Sequence, residues 1–163
     1  MHEHHLILRV VTKIVVGTII LFAFYVQFHG DFSPGGGFQA GVIMAVAFIL
    51  YGVVFGLSKV KQVFPVWLAH KLMALGVLIY AGTGLVSLFY GYPFLDYTVF
   101  DPEHPTHGQH WGIWLVELGV GVTVSGVIVS IYYAFASRTP HISDEDWGYV
   151  LGIYFSAYEL LAV

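Results

Sequence analysis

A chain of 163 residues that is 58% hydrophobic and 10% charged, with a mean hydropathy of +0.79, is no ordinary soluble domain, which carries about 25% charged residues. The net charge of −4 excludes the basic footprint of a nucleic-acid binder. The absence of cysteine excludes disulfides and thiolate metal sites. The composition is that of an all-α integral membrane protein.

Residues 1–5, Met-His-Glu-His-His, form a polar start that is either solvated at the membrane surface or holds a metal. No soluble domain is expected before the membrane part. The first apolar run is too long for a signal-peptide core and lacks a small-residue cleavage site, so it reads as a retained helix over about 6–28. Arg9 and Lys13 are four residues apart and share a face. Both can snorkel to the near interface; Lys13, the deeper, either does so or pairs with an acid inside a bundle. Tyr25, Gln27 and His29 mark the far interface.

The stretch His29–Gly41 then interrupts the apolar sequence with five glycines, Pro34 and Asp31. It reads as a hairpin of roughly eight residues between antiparallel neighbouring helices. Ser33 suits an N-cap and Pro34 the first helical position. Gly35, Gly36 and Gly37 supply positive φ or a bare helix face, and Gly37 with Gly41 makes a GxxxG pair for close packing. A plain flexible turn is the alternative.

Helix two is expected over about 38–57, with Gln39 its only strongly polar side chain and Gly52/Gly56 as a second GxxxG pair. A loop from Ser58 to Pro65 carries Lys59 and Lys61. Helix three, about 66–90, has His70 and Lys71 in its first turns and Gly76, Gly82 and Gly84 along its length. Gly91-Tyr92-Pro93 stops it. The loop over about 92–109 is acidic and holds His104 and His107, with His110 just beyond it. That spacing suggests a metal site, but Pro102 and Pro105 argue against helical geometry there, so a solvated acidic loop with no metal is preferred. Helix four runs over about 111–135. Glu117 lies roughly two turns in and is the only acid within the apolar spans, where a carboxylate must be protonated, paired or hydrated.

The tail after Arg138 has a capping-box pattern at Ser143 and Asp146 and apolar residues at helical spacing over 147–163. It reads as an amphipathic helix on the membrane or a partner, or as a short fifth span. The expected architecture is a four-transmembrane-helix bundle over 1–137 and a helical extension over 138–163. All six basic residues, Arg9, Lys13, Lys59, Lys61, Lys71 and Arg138, fall on one side. The positive-inside rule places both termini in the cytoplasm. No nucleophile–base pair, phosphate loop or cofactor motif appears, so no enzyme activity and no cofactor are expected.

The sequence Phe28-His29-Gly30-Asp31-Phe32-Ser33-Pro34-Gly35-Gly36-Gly37-Phe38 resembles the hallmark of the MnhB (also called MrpB) family, small membrane components of the Mrp or Mnh multisubunit sodium/proton antiporters. Leu75-Gly76-Val77 through Gly82-Thr83-Gly84, the following Gly91-Tyr92-Pro93-Phe94-Leu95, and Leu115-Val116-Glu117-Leu118-Gly119-Val120 are similar to further segments of that family, which often has Asp at the acid. The resemblance covers about 6–137. It implies a small subunit of a prokaryotic cell-membrane antiporter, with large antiporter-like and small membrane subunits as partners, and with Na+ and H+ as transported ions. The alternatives are an equivalent subunit of a related ion-pumping respiratory or hydrogenase complex, or a stand-alone membrane metal-binding protein. Under the first reading Glu117, Lys13, Lys71 and His70 are ion-path candidates, and Pro34, Gly35, Gly36, Gly37, Phe38 and Gly41 form the packing motif.

Overall fold

The structure, a computed structural model, describes residues 2–30 and 35–138. Pro34 and the helix expected over 147–163 lie outside the described residues. The chain divides into two units, residues 1–133 and 134–163. Of the second, residues 134–138 are described.

The helices are α1 (His2–His29), α2 (Gly37–Phe55), α3 (Leu57–Val63), α4 (Val66–Phe89) and α5 (Pro105–Ala136), with a 3₁₀ turn at Tyr97–Phe100. No strand occurs among the described residues. Among the described residues four helices are long and apolar enough to cross a membrane: 24 residues from Leu6, 19 from Gly37, 24 from Val66 and 32 from Pro105. A hydrocarbon layer of about 30 Å needs about 20 residues at 1.5 Å each, so even the shortest is nearly sufficient.

The packing follows from lipid as solvent. Phe22, Phe24, Leu78 and Phe89 are exposed on the outside, where hydrocarbon tails receive them. The buried residues of α2 are only glycine and alanine: Gly37, Ala40, Gly41, Ala45, Ala47 and Gly52. Without water to drive large side chains inward, helices attract by close van der Waals contact, and small residues permit that approach. α5 exploits this on two faces. Gly119, Thr123 and Gly126 meet α4, where a methyl group added to Gly119 would stand 2.8 Å from the Gly76 carbonyl and one on Gly126 2.8 Å from that of Ala69. Glu117, Gly121 and Val124 meet α1 and α2: a methyl on Gly41 would stand 2.6 Å from the Gly121 carbonyl and 2.9 Å from Val124 Cβ. α5 is therefore the shared spine of the bundle.

Larger side chains fill the end of the bundle where α3 lies. Ala45, Val60, Phe64, Ala69, Val129 and Tyr133 form a buried cluster. The Tyr133 hydroxyl donates to the Phe64 carbonyl at 2.6 Å, tying α5 to the end of α3. Tyr133→Phe leaves that buried carbonyl without its donor and is expected to destabilise by about 1–3 kcal/mol. The check is a thermal-inactivation scan in detergent; an unchanged midpoint would show that another donor replaces the hydroxyl. Basic residues gather at this end: Arg9 and Lys13 lie 6.0 and 5.9 Å from the Phe55 ring, and Lys61 lies 5.6 Å from that of Tyr133.

Three expectations need correction. Gly56 is no packing glycine. It has φ +94° with open space around it and turns the chain out of α2, its N–H bonding the Gly52 carbonyl at 2.9 Å. Gly52 does pack, against Tyr132 and Val60. Second, residues 57–63 are a helix rather than a loop, because Val60 is an apolar anchor for the cluster. Third, Pro105 starts α5 instead of breaking a helix. Proline lacks only a donor that the first turn does not use, and Asp101 Oδ1 accepts the His104 N–H at 3.0 Å just before it.

The 90–104 connection is packed down rather than freely solvated. Ser87 donates to the Asp96 carbonyl at 2.9 Å. The Phe94 ring covers Gly84 and the Tyr97 ring covers Gly112 so closely that neither glycine could carry a methyl group. The Thr98 hydroxyl and then its N–H, at 2.6 and 3.0 Å, hold the Asp96 carboxyl below the usual carboxylate range. The far end of α4 and α5 is thus closed by a folded cap.

Candidate functional site

The glycine turn and the intramembrane acid, far apart in sequence, are brought together. A methyl group on Gly30 would stand 2.6 Å from Glu117 Oε2, and one on Gly36 2.7 Å from Oε1. Gly37 rests directly on the Glu117 backbone carbonyl, with no room for a methyl group at all. Two glycines thus form a bare-backbone cradle around one carboxylate, and a third seats the backbone that carries it. Each side chain they lack is one that the acid would otherwise meet.

Local chemistry explains why the acid rests there. Gly36, and not Ser33 as the sequence suggested, is the N-cap of α2, which starts at Gly37 rather than Pro34; its φ of +130° favours glycine. It offers no side-chain cap, and the first turn of α2 holds no acid. The start of a helix carries partial positive charge and unpaired N–H groups, and it favours an anion. Glu117, from another helix, places its carboxyl beside that start. In a membrane, where an isolated carboxylate is costly, the end of α2 is one of the few environments that compensates it. Glu117 is half-buried.

The other ion-path candidates are not brought to this place. Lys13 is exposed at the opposite end of α1, where it faces Phe55. At 1.5 Å per residue it lies about 25 Å along the helix from Gly30. Lys71 is exposed with its Nζ 4.9 Å from the Trp67 ring, and His70 is exposed beside it. Within the packing motif, Gly35 lies against Val26, Gly41 against Gly121 and Val124, and Phe38 is 60% exposed. Phe38 is therefore an outward-facing side chain rather than part of the helix contact.

At the cap, His104 Nδ1 and His107 Nδ1 lie 3.6 and 3.9 Å from the Asp101 carboxylate. Among the described residues no group of three or more histidine, aspartate or glutamate side chains is placed to hold a metal. Replacing His104, His107 and His110 together by alanine is expected to leave transport within about twofold of normal, since exposed charge pairs contribute little. Sodium-dependent proton flux checks this; stoichiometric metal in the purified protein, lost in the triple variant, would contradict it.

One residue beside the site was not read from the sequence as part of it. Gln27, read from sequence as an interfacial marker, is 7% exposed. It reaches toward α5, where its Oε1 would stand 2.6 Å from a methyl on Gly121. The available signal was its spacing: Gln27 lies three residues before Gly30 and so shares its face.

The fold and site define a polytopic helix-bundle protein, held by small residues, with one acid of α5 seated at the start of α2. Residues 7–130 match a family described as a domain related to the MnhB subunit of Na+/H+ antiporter. Three similar proteins carry the name "Putative antiporter subunit mnhB2". That of Staphylococcus epidermidis is 41% identical over 133 residues, covering 80% of this chain and 94% of its own. That of Staphylococcus haemolyticus is 41% identical over 138 residues, covering 83% and 97%. That of Staphylococcus aureus is 40% identical over 133 residues, covering 80% and 94%. The chain belongs to the MnhB family.

Proposed function

We propose that the chain is a small membrane subunit of a multisubunit sodium/proton antiporter, in which it helps to assemble the complex and contributes Glu117 to the ion path. Membership of the MnhB family carries the first part, and the glycine cradle around Glu117 carries the second. A carboxylate at a helix start can exchange a proton or a cation. Its bare-backbone surroundings leave access that larger side chains would close.

The orientation follows from charge. Arg9, Lys13, Lys59, Lys61 and Lys71 belong to the end opposite the cradle. By the positive-inside rule that end faces the cytoplasm of a bacterial-type cell membrane, with Glu117 toward the outer leaflet. The partners are the other antiporter subunits. Any redox or catalytic chemistry of the assembly belongs to them. The test is gentle purification through a tag with identification of every co-purifying chain, followed by sodium-dependent proton flux in vesicles. Large antiporter-like subunits should co-purify. A chain that purifies alone, or with a bound metal, would overturn the reading.

A further inference from the structure

Gly17 is a glycine for which the bundle has no use. It lies inside α1, yet a methyl group added there would meet nothing within 4 Å. A glycine within a helix weakens that helix. At Gly41, Gly76, Gly119 and Gly126 close contact with a neighbouring helix offsets the loss. At Gly17 nothing in the chain does. Gly82 of α4 is open too, but no charged residue lies within two turns of it on that helix.

Gly17 differs in what stands next to it. Lys13 and Arg9 lie four and eight residues before it, on the same side of α1. Both are exposed. Arg9 Cζ and Lys13 Nζ lie 6.0 and 5.9 Å from the centre of one ring, that of Phe55. Two like charges are thus drawn to one place, and among the described residues no carboxylate pairs with either. Lys13 stands about 10 Å along the helix from Leu6, where the apolar span begins. A charge at that level of a span calls for an opposite charge. Beyond Gly17 the same side continues as exposed apolar surface at Leu21 and Phe24. α1 is also the least buried of the four spans.

The occupant of this side must be long and apolar, must come close to the backbone at Gly17, and must carry negative charge one to two turns toward the basic end. A phospholipid has the charge, but a flexible acyl chain needs no missing side chain to lie against a helix. Another helix does, because close contact at small residues is what holds helices together in lipid. A second copy of this chain, inserted the same way round, would set Arg9 and Lys13 against their own counterparts.

We propose that the Arg9–Lys13–Gly17 side of α1 is a docking surface for a transmembrane helix of another antiporter subunit, one that carries an aspartate or glutamate near its cytoplasmic end. The carboxylate meets the two converging cations, and Gly17 lets the two helices close on each other just beyond. The surface rests on the reading of this chain as one subunit of a multisubunit complex.

The test compares variants by blue-native electrophoresis and by the total amount of chain in the membrane. Gly17→Leu is expected to insert normally, since the space around that position is open, and to lower assembled complex roughly tenfold through overpacking against the partner. Lys13→Glu should lower it by at least about as much through like-charge repulsion, while Lys13→Arg should assemble normally. A photoreactive benzophenone amino acid placed at Leu21 in the purified complex identifies the neighbour. It should capture a span of another subunit that carries an aspartate or glutamate about eight residues, or 12 Å, nearer the cytoplasm. Normal complex in Gly17→Leu or in Lys13→Glu would overturn the docking surface. So would capture of lipid alone, of a second copy of this chain, or of a span without such an acid. A chain that purifies alone contradicts the subunit reading itself, whereas an intact complex in these variants contradicts only this surface.

Discussion

Gly37→Ala is expected to cut the amount of assembled complex to roughly a tenth or less, a loss of at least about 1.4 kcal/mol. The added methyl would fall on the Glu117 backbone carbonyl. Backbone cannot rotate away as a side-chain end can, so α2 and α5 must separate. Separation forfeits the van der Waals contact that is the main attraction between helices in lipid. Insertion of the individual helices should survive, because it depends on hydropathy alone. Gly82→Ala is the matched control, since a methyl there meets nothing within 4 Å. Blue-native electrophoresis reads both variants beside the total amount of chain in the membrane. Normal complex in Gly37→Ala would mean that the close approach of α2 to α5 is dispensable.

Glu117→Gln should have the opposite profile, with assembly near normal and flux reduced at least about tenfold, as removal of a proton-transferring group typically does. The amide keeps the volume of the carboxyl within the glycine cradle, so packing is preserved. It removes the charge that complements the start of α2 and the ability to bind and release a proton. Glu117→Asp keeps both on a shorter stem and should retain activity. Cation-dependent proton flux in inverted vesicles, normalised to complex abundance, makes the comparison. Full flux in Glu117→Gln at normal abundance would leave the residue as a packing and hydrogen-bonding group only.

The two halves of the site were each legible in sequence, and their meeting was not. The glycine turn announced itself by its break in hydropathy, and Glu117 by being the only acid within an apolar span. Nothing in a single sequence says that position 117 lies against positions 30, 36 and 37, because helix registry across a bundle is set by tertiary packing. Gly52 and Gly56 show the converse error. Identical spacing to Gly37 and Gly41 suggested a second contact, yet only Gly52 packs, since Gly56 lies beyond the last turn of α2. The histidine-bearing loop read as solvated because its acids and prolines are polar and turn-forming. What holds it down is Phe94 and Tyr97 over Gly84 and Gly112, a complementarity between distant residues that local composition does not encode. Gln27 escaped for a simpler reason: a lone glutamine near a helix end is ordinary.

The position of α5 bears on how the protein is made. A ribosome delivers helices to the membrane from the N-terminus onward, so α1 to α4 enter before the helix on which each of the other three spans rests. Until then the bare backbone at Gly30, Gly36 and Gly37 has no occupant, and the Gly76 face of α4 lacks its counterpart. The acid arrives with the last of the four described spans, and its seating in the glycine turn closes their bundle. Arrival of the proposed ion-path residue and closure of the described bundle are then one event. An unfinished chain, whatever its other helices have done, presents neither the carboxylate nor the closed surface that a neighbouring subunit would need to recognise.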